Sequence, residues 1–343
     1  VTQSGDNHCW NNGAVCSFVY RCAVKSALSN GSELAVGTLP ANYTPPYDMA
    51  VEVYTSTAAR ANAKVGTNGT ITVSGFTTVK NVTGTAINPV HNKSGKTLSL
   101  LGGGLITDVK VVVGVDADNK ENANMGNGIY TEGNVVLGGT TTITNLFTDK
   151  KNNSLCAGVI ANNGGKVTGA GNLVITGSAS TDSTYPYGIN NGIFLDGKNN
   201  NPTIDLTGDI TITNVLNQGI YLANEASGTT AKLTARNITV TNVAGNGVYN
   251  RAATNELTAT GTITVKNAKG HGVSNDGTLS AAAITVSNIS KNGVNNNGTL
   301  TVTGTINLIS YLITIAVLHM RRMLSLGTAV FRMNMIRFAA LRL

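Results

Sequence analysis

The residues of this chain best suited to chemistry are its carboxylates. Glycosidic cleavage needs two of them about 5–10 Å apart, one to protonate the leaving oxygen and one to serve as base or nucleophile. Asp196, Asp205 and Asp209 form the nearest set: Asp205 and Asp209 flank the apolar run opening at Ile210, and Asp196 follows Gly192. Matching places further along hold Ala or Thr, so these acids read as a solvated edge, and no catalysis is expected. Asp116, Asp118, Asn119 and Glu121 gather oxygen donors of the kind calcium takes. The glycine and distal glutamate of an EF-hand loop are missing, so a calcium site competes there with a plain polar loop. His8, His91, His271 and His319 share no spacing, and no Ser/His/Asp set emerges. Gly102-Gly103-Gly104 is followed neither by Lys-Ser/Thr nor by a helical pattern, so it is no phosphate loop. No cofactor is expected.

Three of the four cysteines, Cys9, Cys16 and Cys22, lie close together, and Cys156 stands apart. Their spacing fits no common zinc pattern. One local disulfide suits an exported protein, while incidental thiols are the simpler reading. The formal charge of +7 belongs mostly to the end of the chain. Arg321, Arg322, Arg332, Arg337 and Arg342 lie there without an acid, and elsewhere Lys and acids are scattered. No nucleic-acid partner is expected from such a distribution.

Charged residues are only 12% of the 343, and the 6 Pro are far outnumbered by 40 Gly. That composition excludes a mostly disordered chain and disfavours helices. Asn, Gly and Thr between short β-branched runs point instead to many short strands and tight turns.

A repeat must position whatever this chain uses. Ile238-Thr239-Val240-Thr241-Asn242, Ile263-Thr264-Val265-Lys266-Asn267 and Ile284-Thr285-Val286-Ser287-Asn288 share one skeleton, each followed, after four intervening residues, by Gly-Val. Looser copies begin at Ile210, Ile143 and Thr78, the last with Ala86 in the glycine place. Gly-Ile or Gly-Val landmarks recur at Gly128, Gly158, Gly192, Gly219, Gly247, Gly272 and Gly293. A short fixed core with a variable period predicts stacked parallel strands whose corner loops change length. Ile and Val of each unit point inward and Thr outward. Asn214, Asn242, Asn267 and Asn288 then align at one corner as a structural amide ladder. Gly219, Gly247, Gly272 and Gly293 mark a bend with positive φ or a close backbone approach. A third strand per coil is the Leu run of Glu256-Leu257, Thr278-Leu279 and Thr299-Leu300. The expected fold class is all-β: a right-handed parallel β-helix of about eight three-strand coils, preceded by a small antiparallel β module.

Residues 1–66 lack the repeat and form that module, which would cap the first coil's open edge. Residues 67–306 form the β-helix, with excursions near residues 116–122 and at Tyr185-Pro186-Tyr187. Residues 307–343 form a basic tail outside the repeat. Leu308 to Leu318 is too short for a membrane span, which needs about 20 residues, so no stable span is expected. An amphipathic membrane helix and an out-of-frame translation are the competing readings, the latter favoured because the repeat stops where the next unit is due. The chain opens at Val1 with no initiator Met, basic segment or apolar segment, so it reads as a mature chain or a fragment.

At Ile-Thr-Val-x-Asn, Gly-Val-x-Asn and Gly-Thr-Leu, over roughly residues 70–306, the chain resembles passenger segments of bacterial autotransporter-type adhesins. That resemblance implies an exported, monomeric rod on the outer bacterial surface, associated with the outer membrane, whose partner is a host-surface protein, a matrix component or a glycan. The family's outer-membrane barrel and signal peptide are not seen here. The run from Gly37 to Pro45 resembles β modules of phage tail fibres. This alternative implies a trimeric virion protein that recognises surface polysaccharide and in some cases cleaves it.

Overall fold

The computed structural model describes residues 71–114, 124–150, 156–197, 200–223 and 228–309. Beyond these it describes the backbone of the strands Thr2–Gln3, Cys9–Asn11, Cys16–Phe18, Cys22–Ala23, Met49–Tyr54, Arg60–Val65 and Val330–Met333. Every regular element among the described residues is a strand. From Ile71 to Ile309 successive coils pair in parallel, one upon the next, in the manner of a β-solenoid.

Each coil visits three faces in turn. The first is the Leu face, whose strands include Lys232–Ala235 and Thr299–Val302. The second is the Ile-Thr-Val face, with Ile210–Val215 and Ile238–Val243. The third is the Gly-Val face, an 8-stranded sheet running from Val90–Asn92 to Val294–Asn296. Coil one therefore spans Ile71 to Asn92 and coil eight spans Thr278 to Asn296. A partial ninth follows in Thr299–Val302 and Thr305–Ile309.

Register is what the apolar alternation demands. Ile210, Ile238, Ile263, Ile284 and Ile306 stand opposite one another in successive coils, and all are buried. On the Leu face the column is Val135, Val167, Ile204, Leu233, Leu257, Leu279 and Leu300. On the Gly-Val face it is Ile129, Val159, Ile193, Ile220, Val248, Val273 and Val294. A one-residue slip would turn each column outward, so burial of both neighbours fixes the pairing. Each buried Val, Ile or Leu contributes about 1.5–3 kcal/mol.

The first three coils depart from the later ones. Gly104–Val112 lies parallel to Thr77–Thr85 along its length, and Leu146–Thr148 continues that extra segment. This lengthens the path to the third face. Val90 pairs with Ile129, so Pro89 stands in the column of Gly128, not Ala86. Ala86 lies earlier, at φ 52°. The expected landmark is thus displaced by the longer strand, which a fixed four-residue spacing does not anticipate.

At the amino-terminal side, Met49–Tyr54 and Arg60–Val65 pair antiparallel, and Arg60–Val65 pairs antiparallel with Ile71–Val73. Cys9–Asn11 pairs antiparallel with Cys16–Phe18. The side chains of Cys9, Cys16 and Cys22, and with them any disulfide, lie outside the described residues. So does most of the tail, apart from Val330–Met333, which pairs parallel with the strand Thr305–Ile309. No helix among the described residues is long and apolar enough to cross a membrane, which says nothing about spans made of strands.

A candidate ligand groove along the asparagine corner

The corner leaving the Ile-Thr-Val face is made by one residue in the left-handed region. Asn81, Asn145, Asn214, Asn242, Asn267 and Asn288 hold φ between 51° and 59°, and Asp108 takes the place in coil two. Asn and Asp tolerate this conformation because their short polar side chains bond locally, whereas β-branched residues are excluded. Coil four has Gly177 instead, opposite Asn214, at a point where a Cβ would overlap the Asn214 carbonyl.

The structure brings Asn214, Asn242, Asn267 and Asn288 together. Asn242 Nδ2 donates to Asn214 Oδ1 at 2.9 Å, Asn267 to Asn242 at 2.6 Å and Asn288 to Asn267 at 3.0 Å. The same corner continues upstream, where Ser178 Oγ donates to Asn145 Oδ1 at 2.7 Å and Asn145 Nδ2 donates to Asp108 at 3.1 Å.

Three further ladders were not read from the sequence. At the corner before the Gly-Val face, side chains accept from the next coil's backbone: Asn191 from Gln218 N, Gln218 from Asn246 N, Asn246 from His271 N, and His271 Nδ1 from Asn292 N. At the corner after the Leu face, Asn172 accepts from Asp209 N, Asp209 from Asn237 N and Asn237 from Thr262 N. Inside the coil, Asn250, Asn275 and Asn296 form a fully buried chain, each link 2.8 Å. Its signal was present as the final residue of Gly-Val-x-Asn. Asn250 Oδ1 ends the chain without a partner among the described residues, because the residue opposite is Leu222.

The turn glycines owe their identity to close approach. Gly219, Gly247, Gly272 and Gly293 do not adopt positive φ. A Cβ at Gly247 would overlap Val265 and meet the carbonyl of Gly272, and Gly272 is placed likewise against Val286 and Gly293. These glycines form a column over which one coil lies directly on the next.

The acids do not converge. Asp205 is exposed in the middle of the Leu face between Thr168 and Thr234. Asp196 lies on the Gly-Val face beside Ala223. Asp209 lies at a corner and takes a bidentate pair from Arg236 at 2.8 and 2.7 Å, with Asn237 Nδ2 at 2.9 Å. Arg236 above all holds the Asp209 carboxyl at about 2. A carboxylate so held cannot protonate a leaving group at neutral pH, and the three acids stand in three separate columns. Asp116, Asp118 and Glu121 lie outside the described residues. Among the described residues no group of three or more His, Cys, Asp or Glu is placed to hold a metal. Cys156 is buried, which pushes its thiol up to about 12.

Outward-facing rings also stack on the Gly-Val face. Phe194, Tyr221 and Tyr249 follow one another with centroids 5.3 Å apart, and Tyr221 and Tyr249 are near parallel at 6°. Phe194 and Tyr221 are only 6% exposed, so the stack is packing and not an open platform.

What is open is the asparagine corner itself. A groove of about 1020 Å³ follows it from Ser178 to Ser290, across coils four to eight. Its polar side is the amide ladder. Its floor is Val215, Val243, Ala268 and Ile289, and Lys269 is the sole ionisable side chain among its lining residues.

Beside coil four the chain leaves the repeat between Gly177 and Gly188. That loop is pinned back over earlier coils. Lys110 Nζ meets Asp182 at 2.8 Å and lies 5.7 Å from the Tyr185 ring centroid. Thr148 and Tyr187 form an antiparallel bridge. Tyr187 is 37% exposed, and Ser178 and Ala179 at the loop's base close the near end of the groove.

No protein-family model, no curated protein and no solved structure matches this chain.

Proposed function

We propose that this chain is an exported, surface-displayed adhesin built on a right-handed β-helix. The observation that carries this reading is the contrast between an invariant stack and its variable loops. Core columns keep register through eight coils, while the excursion between Gly177 and Gly188 is laid over earlier coils by the Lys110–Asp182 pair and the Thr148–Tyr187 bridge. A rigid scaffold presenting irregular loops is how binding surfaces are positioned. The right hand follows from the general preference of parallel crossover connections. Contact with a partner, the role that the variable loops favour, is the function adopted.

Labelled full-length protein should bind cultured epithelial cells or their matrix saturably, and unlabelled protein should displace it. Absence of saturable binding to cells, matrix and sister bacteria would remove the adhesin reading.

A further inference from the structure

We infer that the groove along the asparagine corner is a binding site for a linear, uncharged polysaccharide chain. This rests on the adhesin reading and names its ligand.

The groove's chemistry selects the class. Asn242 and Asn267 each spend one N–H and one oxygen lone pair on the ladder, while Asn214 only accepts and Asn288 only donates; each amide therefore keeps at least one N–H and one lone pair. Asn214, Asn242 and Asn288 are exposed. A row of groups that both donate and accept matches hydroxyls, which do the same. It does not match a phosphate or carboxylate polymer, which needs cations, and Lys269 alone supplies one.

The groove's form selects a chain. The same amide recurs at each coil, about 4.8 Å from the last, so the site is a repeat and suits a ligand that repeats. Coils five to eight place four such amides in line, and coil four has Gly177 in that position. Next to the amides lie aliphatic residues, of which Leu216 and Ile289 are half-buried and Ala244 is exposed. They offer an apolar strip for the C–H faces of sugar rings. Beyond the end closed by Ser178 and Ala179, outside the groove's lining residues, Tyr187 stands exposed on a loop held by the Lys110–Asp182 pair and the Thr148 bridge. A Tyr ring held in place gives contact area at little cost in conformational entropy.

The test is calorimetric titration of the full chain with neutral, linear β-1,4-linked glucose and N-acetylglucosamine oligomers, from dimers to octamers. Affinity should rise with oligomer length and level off once the ligand spans the groove. Ala244→Trp fills the groove from an exposed position without touching the ladder, and should weaken binding at least tenfold. Tyr187→Ala should weaken the longer oligomers more than the dimers. Thr260→Arg, on a different corner, should leave binding unchanged. The inference is overturned if no neutral oligomer binds, if length has no effect, if acidic oligosaccharides or peptides bind in their place, or if Ala244→Trp binds as the parent does. Loss of the groove's ligand with saturable cell binding intact would sink this inference and spare the adhesin reading. Oligomer binding without cell binding would do the reverse.

Discussion

Asparagine does two jobs at each turn of this chain, and they can be separated. Asn242 must hold φ 56° and must also bond Asn214 and Asn267. An L-residue without a local polar side chain pays about 1–2 kcal/mol for the left-handed conformation, and each exposed amide link adds about 0.5–1.5 kcal/mol. Asn242→Ala should therefore lose both contributions, and Asn242→Gly only the second. Denaturant unfolding should rank parent, Gly variant and Ala variant in falling stability. Equal stability of the two variants would show that the backbone conformation there is not strained. Another residue-scale test concerns His271, whose Nδ1 accepts from Asn292 N at 3.2 Å. Burial first, then the neighbouring Lys291, lowers its pKa from 6.5. A lowered folded value means that its contribution is complete above about pH 6.5 and is lost as pH falls through the folded value. His271→Asn, which restores the residue type found in the same column at Asn246 and Asn292, should remove that pH-dependent component from the unfolding midpoint.

At the scale of the element, strands were legible and the joints between them only partly so. Ile-x-Val alternation carries its own register, because a buried column tolerates no slip, and the sequence spacing of Ile238, Ile263 and Ile284 already implied it. The ladder through Asn214, Asn242, Asn267 and Asn288 was legible for the same reason. The other ladders were not, since Asn191, Gln218, Asn246 and His271 share a role without sharing a residue type. Pro89 was missed because a longer strand precedes it. The tether between Lys110 and Asp182 joins residues 72 apart, and nothing local announces such a pair. Two predictions belong here. Gly247→Ala forces a methyl onto Val265 and the Gly272 carbonyl and should destabilise by about 1–3 kcal/mol, as overpacking does. Asn275→Ala breaks the buried chain on both sides: it removes one acceptor of Asn250 Nδ2, which keeps the Thr278 carbonyl at 3.1 Å, and strands the acceptor of Asn296. It should cost about 1–3 kcal/mol, more than an exposed ladder residue such as Asn288. Thermal unfolding of the two asparagine variants side by side checks the order.

For the molecule as a whole, stability and function both follow from repetition. Each coil buries its apolar residues against the coils on either side, so cohesion is a sum of neighbour interactions along one axis. The turns on either side of the Ile-Thr-Val face then serve as amide seams, one of which opens into a groove with a repeat of its own. Distances between residues of one column should accordingly grow in equal steps. Thr142, Val174, Thr211, Thr239, Thr264 and Thr285 form such a column on the outer side of the Ile-Thr-Val face. The most direct test pairs a spin label at Thr142→Cys with one at Thr239→Cys, Thr264→Cys or Thr285→Cys, after Cys9, Cys16, Cys22 and Cys156 are replaced by Ala. Pulsed electron–electron resonance should give separations near 14, 19 and 24 Å, rising by about 4.8 Å per coil. Separations that do not increase in this order, or that increase in unequal steps, would contradict the stack on which the groove and its proposed ligand depend.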